Sequence, residues 1–332
     1  MSILVSVVCT TYNHEKYISD AIESFLMQQT NFDFEILIGE DCSTDNTRQI
    51  VEEYVRKNPN KIKIITSNTN VGPEENENRL LEKAQGKYLA LCEGDDYWTD
   101  SKKLQKQVDY LEKNPECSLV FHATEFVNVS KESIGTIARI DKESRIVKMD
   151  EICLKATPSF IPTGSRLYRK HLTDNLPGWY RKTSIGDFPS ALIIANYGYF
   201  FYMDEVMSAY RTGVEGSWTN RTLVGKEAIR NDIEINKECI QILNDFNDYS
   251  NYQFKRELEK AKKVREIKIL LLERKIKVLK HSKIYKDYYL KLSLKEKIIL
   301  NLNYYFPKFY QTLSNIIKHQ KNVSPNKMGV KN

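Results

Sequence analysis

The chain runs to 332 residues with 50 Lys and Arg against 44 Asp and Glu, longer than one core of common size needs, so a sizeable domain with an appendage is expected. The net charge of +6 is unevenly spread: residues 1–254 hold 29 basic and 38 acidic side chains, while residues 255–332 hold 21 and 6, so an acidic body carries a basic tail. Six scattered cysteines without a CxxC pair argue against a disulfide framework or a zinc site, and the lack of a basic leader or of roughly 18 consecutive apolar residues argues for a cytoplasmic protein, soluble or peripherally attached.

ILVSVV (3–8) is a β-branched run that stops at the polar TTYNHE, after which Ile18, Ile22, Phe25 and Leu26 recur at helical spacing. The unit repeats as EILIGED (35–41), the loop CSTDN, and a helix with Ile50, Val51, Tyr54 and Val55 on its apolar face. It repeats again as KIKIIT (61–66), a loop at Gly72 and Pro73, a helix through NRLLEKA, and the strand KYLALC (87–92). This alternation predicts an α/β fold with a mostly parallel sheet flanked by helices. Ligands of such sheets bind beyond the carboxyl ends of the strands, so TTYNHE, GEDCSTDN and CEGDDYW are expected to meet in one crevice. No GxGxxG follows the first strand and no GxxxxGK[ST] is present, which disfavours a dinucleotide or P-loop site.

A helix over KLQKQVDYLEKN and a strand over SLVFHATEFVNV (118–129) come next. Residues 130–182 are irregular and rich in Ser, Thr, Lys and Arg, as a substrate-facing region would be. IGDFPSALIIANYG reads as a loop feeding a buried helix, YFFYMDEVMSAYR as a late strand pair, and the chain from 224 onward as helical.

Three carboxylates, Glu93, Asp95 and Asp96, stand where a buried strand ends. Like charges so placed raise one another's pKa unless a cation or solvent relieves them. Mg²⁺ or Mn²⁺ takes oxygen ligands and needs only one or two protein carboxylates when a diphosphate and water complete its shell. A solvated acidic turn explains EGDD equally well when it is read alone. Glu40 and Asp41 end the second strand, where a carboxylate can accept from a base N–H or a ribose hydroxyl; helix capping accounts for Ser43 and Asp45 but not for these two.

Taken in order, SVVCTTYN, IGEDCSTDNT and CEGDDYW resemble the nucleotide-binding half of a family 2 glycosyltransferase with the GT-A fold, continuously over about 3–115 and more sparsely to about 220. The resemblance implies metal-dependent, inverting transfer of a sugar from a nucleotide donor, UDP by family habit, to a glycan or lipid-linked acceptor of a bacterial surface polysaccharide. Thr11 and Tyr12 would then line the nucleotide pocket, Glu40 and Asp41 would meet uracil and ribose, Asp95 would bind the metal, and Glu93 and Asp96 would flank it. Asp187 in SIGDFPS matches the family's general base, although a helix entrance also explains it. Arg211 would approach the diphosphate. The family's following His is missing, with Gly213 in its place, and Trp218 would cover a sugar or serve as a core or lid residue. Glu93 and Cys42 depart from the usual Asp and Gly. His14, His122, His171, His281 and His319 read as ordinary histidines.

On this reading residues 1–223 form the transferase domain, with halves 1–115 and 116–223, and residues 224–332 form a basic helical extension. The extension would lie on an anionic membrane surface, cap the domain, or self-associate into a homo-oligomer. No nucleic-acid-binding motif accompanies its charge. Two other classes compete. One is a non-catalytic scaffold of the same fold. The other is a sugar-phosphate nucleotidyltransferase, whose Gly-rich, Arg-containing first loop CTTYNHEKY lacks.

Overall fold

The structure, a computed structural model, describes residues 2–155, 160–294, 297, 298 and 301. The first half runs β1 (Val5–Thr11), α1 (Ile18–Leu26), β2 (Phe34–Glu40), α2 (Thr47–Lys57), β3 (Ile62–Thr66), α3 (Pro73–Lys83), β4 (Tyr88–Leu91), β5 (Tyr97–Trp98) and α4 (Lys103–Lys113). The second half continues with β6 (Cys117–Val127), β7 (Ser133–Ala138), β8 (Arg145–Val147), α5 (Met149–Lys155), β9 (Leu167–Arg169), α6 (Asp187–Ala195) and β10 (Tyr199–Arg211). It closes with α7 (Trp218–Leu223), α8 (Ala228–Tyr249), α9 (Lys255–Leu272), α10 (Ile276–His281) and α11 (Lys286–Lys291).

The strands form one mixed sheet in the order β3-β2-β1-β4-β9-β6-β10-β5, with β7 beside β6 and β8 beside β10. β1 to β4 are mutually parallel, and β10 runs parallel to β6. β9 lies antiparallel between β4 and β6. Thr11 pairs with Glu40 and Val8 with Leu91, so the three polar loops leave the sheet side by side, as the alternation predicts.

Strict alternation places the core on both faces. Val5, Val7 and Cys9 of β1 pack with Ile36, Ile38, Tyr88 and Ala90 against Ile22 and Phe25 of α1 and Leu104 and Val108 of α4. Val8, Leu37 and Leu89 face the other way, into a layer holding Leu80, Leu192, Leu243 and Phe246. Each Val, Leu, Ile or Phe among them contributes about 1.5–3 kcal/mol on burial, and a one-residue register slip of a strand would turn its residues to the wrong layer.

The stretch expected as a strand pair is one strand of 13 residues, β10. Register shifts between Met203 and Ser208 separate the part that bonds β8 from the part that bonds β5, so bulges do the work expected of a turn. The start of the basic region is built into the main core: Cys239, Ile242 and Phe246 of α8 and Leu258 and Ala261 of α9 belong to it. Charge therefore misplaces the edge of the folded body. Residues 302–332, which carry the last part of the expected tail, lie outside the described residues.

Candidate active site

The loops after β1, β2 and β4 are joined by backbone. The Asp41 N–H donates to Thr11 O at 3.1 Å and the Gly94 N–H to Thr10 O at 2.9 Å. Asn13 turns left-handed with φ 55° and locks the first two loops, donating to Ser43 Oγ at 3.0 Å and accepting from the Thr44 N–H at 2.8 Å. Cys42 has φ 58°, the conformation that makes Gly usual at this place.

Glu40 does not cap the following helix, as the sequence indicates, but it is already partnered within the protein. Its fully buried carboxylate accepts from the Ser43 N–H and from Arg48 Nε, both at 2.6 Å. Asp41, also buried, accepts from the Val71 and Gly72 N–H groups at 2.8 and 2.9 Å. Both carboxylates thus brace the rim of the crevice with their own charge. Thr11 is buried at the end of β1, while Tyr12 stands 41% exposed at the mouth.

The acidic turn is closed by the Asp96 N–H bonding Glu93 O at 3.1 Å. Asp96 is 3% exposed and accepts the Arg211 N–H at 2.8 Å. Burial, reinforced by Asp95 and Glu93, pushes its carboxyl well up against the pull of Arg211. Glu93 opens to the crevice yet is surrounded by protein; burial, then the charges of Asp95, Asp187 and Glu77, push it up to about 8. A Cβ on Gly94 would come within 2.7 Å of Thr11 Oγ1 and 2.9 Å of His14 Nδ1, so only Gly fits there. Those two atoms are themselves buried without a hydrogen-bond partner among the described residues. His14 Nε2 lies 3.9 Å from Asp95 Oδ2. His14 is therefore not the ordinary histidine its spacing suggests; the signal was its place in a loop at a strand's carboxyl end.

Arg211, expected at the diphosphate, is instead 2% exposed and consumed by the scaffold. Its guanidinium bonds Asp95 O and, at 2.8 Å, Asp20 Oδ2, and it lies 4.7 Å from the centre of the Tyr17 ring and 5.2 Å from that of Tyr97. Its Nε is left without a hydrogen-bond partner among the described residues. The side chain anchors the acidic turn to α1.

Across the crevice, Asp187 begins α6 and is not its cap. Its Oδ1 accepts from Arg166 Nη1 at 2.7 Å, and Thr163 Oγ1 lies 3.3 Å from its Oδ2. Arg166, unnoticed in the sequence, is 4% exposed and held by two further bonds to Ile161 O. The charge of Asp187 raises both Glu93 and Glu77, which puts all three in one electrostatic neighbourhood. Trp218 heads α7 at 36% exposure, and among the described residues no hydrogen bond or ring contact joins it to this group.

The donor chemistry suits a hard cation. Asp95 and Glu93 offer carboxylate oxygens, and the unpartnered Thr11 Oγ1 and His14 Nδ1 adjoin them. Among the described residues no three His, Cys, Asp or Glu side chains converge to hold a metal unaided, so phosphate oxygens and water would have to complete the shell.

Residues 6–176 match glycosyl transferase family 2, just over half of the chain. An uncharacterized protein of Mycobacterium tuberculosis is 34% identical over 223 residues, 64% of this chain and 60% of that one, so the chain spans less than two-thirds of that relative. The poly(ribitol-phosphate) beta-N-acetylglucosaminyltransferase TarS of Staphylococcus aureus is 39% identical over 93 residues, 28% of this chain and 16% of that one. Its residues 1–349, solved in complex with UDP-GlcNAc, superpose with a TM-score of 0.57 at 21% identity, covering 91% of this chain and 79% of that one. The mannosyltransferase PcManGT of Pyrobaculum calidifontis, solved with GDP-Man and Mn²⁺, gives 0.55 at 16% identity over 98% and 89%. At such identities the structures speak for the fold, which is of the GT-A type.

Proposed function

The chain belongs to glycosyl transferase family 2, and on that premise we propose that it moves a hexosyl or N-acetylhexosaminyl group, with inversion, from a uridine diphosphate donor to a hydroxyl of a glycan or lipid-linked acceptor. The observation that carries this reading is the placement of Asp187 within electrostatic reach of the acidic turn, a base facing the residues that would hold the donor. Thr11 and Tyr12 line the nucleoside pocket, and Asp41 and Glu40 hold its rim. Asp95 holds Mg²⁺ or Mn²⁺, with Glu93 and Asp96 beside it. When bound, the ion supplies positive charge against the departing diphosphate. Asp187, aimed by Arg166, takes the proton of the acceptor hydroxyl as that oxygen attacks the sugar.

Support for a surface polymer as the acceptor comes from TarS, whose name records a poly(ribitol-phosphate) substrate. The exposed apolar residues Val278, Ile284, Leu290 and Leu294, set among lysines, suit peripheral attachment to an anionic membrane. Calorimetric titration of UDP, GDP and dTDP with and without Mn²⁺, repeated on Asp95→Ala, tests the reading. Metal-dependent binding of UDP that disappears in the variant is expected. Absence of nucleotide binding under every condition overturns it in favour of a non-catalytic scaffold.

A further inference from the structure

Behind Asp187 lies a small, partly enclosed pocket between α3, α6 and the start of β9. Its walls include Glu77, Arg166, Tyr168, Thr173, Tyr180 and Asp187, and its free volume is about 20 Å³. That is room for one water, which needs two to four polar partners, and the walls provide more. Two of the wall groups are carboxyls on different helices, and Arg166, bonded to Asp187, also acts through its charge on Glu77. Glu77 has no place in donor binding as set out above.

We propose that Glu77 is the second carboxylate of the base: through a water in this cavity it takes up the proton that Asp187 removes from the acceptor hydroxyl, and then releases it to solvent. This rests on the assignment of Asp187 as the base. In the transfer step the acceptor oxygen bonds the anomeric carbon as the bond to the diphosphate breaks, and the hydroxyl proton passes to Asp187. A proton then moves from Asp187 to the water while the water gives one to Glu77, so Asp187 is an anion again and nothing is oxidised or reduced. The crevice side of Glu77 is the exit.

The surroundings of Glu77 suit a group that both accepts and gives up a proton. It is faced by Asp187 from α6, Arg166 from the entry to β9, Tyr168 from β9 itself, Tyr180 from the loop before α6, Glu93 from the acidic turn and Glu74 from its own helix. Burial first, then Asp187 and Glu74, opposed by Arg166, bring its carboxyl up to about 7. A carboxyl near neutrality can hold a proton and still give it up to solvent, whereas one far above neutrality would not release it.

Infrared difference titration of the whole protein between pH 5.5 and 8.5 reads this pair without any substrate. The expected result is a protonated-carboxyl band that Glu77→Gln removes, that Glu77→Asp retains, and whose midpoint falls in Asp187→Asn because a neighbouring negative charge is gone. A band indifferent to both Glu77→Gln and Asp187→Asn overturns the pair. Turnover is read as UDP release from UDP-GlcNAc with Mn²⁺. Glu77→Gln should lower kcat by about tenfold or more at unchanged donor KM and flatten the neutral limb of the pH profile, with Glu77→Asp recovering part of both. Wild-type kcat and pH profile in Glu77→Gln, beside a dead Asp187→Asn, overturn the relay while leaving the base intact. Wild-type release in Asp187→Asn removes the base itself.

Discussion

Replacing Arg211 by Met removes a buried guanidinium that ties the end of β10 to α1 and to the acidic turn. Breaking a buried ion pair by deleting one member costs about 3–5 kcal/mol, because the other charge is left behind. Here Asp20 keeps Lys131 at 2.5 Å and is 25% exposed, so the cost falls at the lower end, about 3 kcal/mol. Methionine fills the space between Tyr17 and Tyr97 but forfeits the attraction of a cation to their faces, about 1 kcal/mol more. A total of about 4 kcal/mol, at roughly 2–4 °C per kcal/mol for a domain of this class, lowers the melting midpoint by about 10 °C. Thermal unfolding by circular dichroism, paired with UDP titration at a temperature where both proteins are folded, separates the two roles this arginine could have. A scaffold residue loses stability first, with UDP affinity following only as the turn loosens. An unchanged midpoint beside a tenfold or greater loss of UDP affinity would refute the reasoning and return Arg211 to the phosphates.

Lys103 is fully buried, bonded to Gln107 Oε1 at 2.8 Å and 4.1 Å from the Trp98 ring centre; burial pushes it from its ordinary 10.5 down to about 7. The unfolded chain then binds more protons between those two values, so wild-type stability should rise across that window and be flat below it. Lys103→Met should therefore be more stable by about 4–5 kcal/mol at pH 6.5, with the gap closing towards pH 10 in urea unfolding, and parallel curves for the two proteins would contradict this. Cys42→Gly relieves a left-handed side chain and should raise the urea midpoint by the equivalent of about 0.5–1 kcal/mol; a fall would show that the Cys42 side chain outweighs its strain. Gly94→Ala drives a methyl against Thr11 Oγ1 and His14 Nδ1, and should cost about 1–3 kcal/mol together with most Mn²⁺-dependent UDP binding. Wild-type binding in that variant would place the nucleotide elsewhere.

What could be read in advance was what depends on local pattern. β1, β2 and β4 announce themselves as β-branched runs ending in polar loops, and a parallel sheet then obliges those loops to gather at one edge. What could not be read depends on partners remote in sequence. Arg211 follows a late strand just as a phosphate ligand would; only its pairing with Asp20, 191 positions earlier, reveals a buried lock. Arg166 and Glu77 belong to an unremarkable stretch and a polar helix, and become notable only when folding sets both beside Asp187. His14 lacks a paired histidine and so carries no spacing signal, yet the turn after β4 lands against it. The bulges of β10 were likewise invisible, since no Gly or Pro marks them; they fall between the stretch that bonds β8 and the stretch that bonds β5.

β9 has only three residues, but they fill the slot between β4 and β6, bonding Tyr88 to Ala90 on one side and Leu119 and Val120 on the other. The outer edge of β4 is thus completed by chain that arrives some eighty residues after it. A fragment cut near 115, where the sequence reading divides the two halves, would leave that edge bare: a row of unpaired N–H and C=O groups on an apolar strand, open to any other chain that can pair with it. Isolated in this way, the first half should associate with copies of itself rather than stand as a soluble nucleotide-binding module. Exchanging second halves between relatives to change the acceptor would have to carry β9 along with its register.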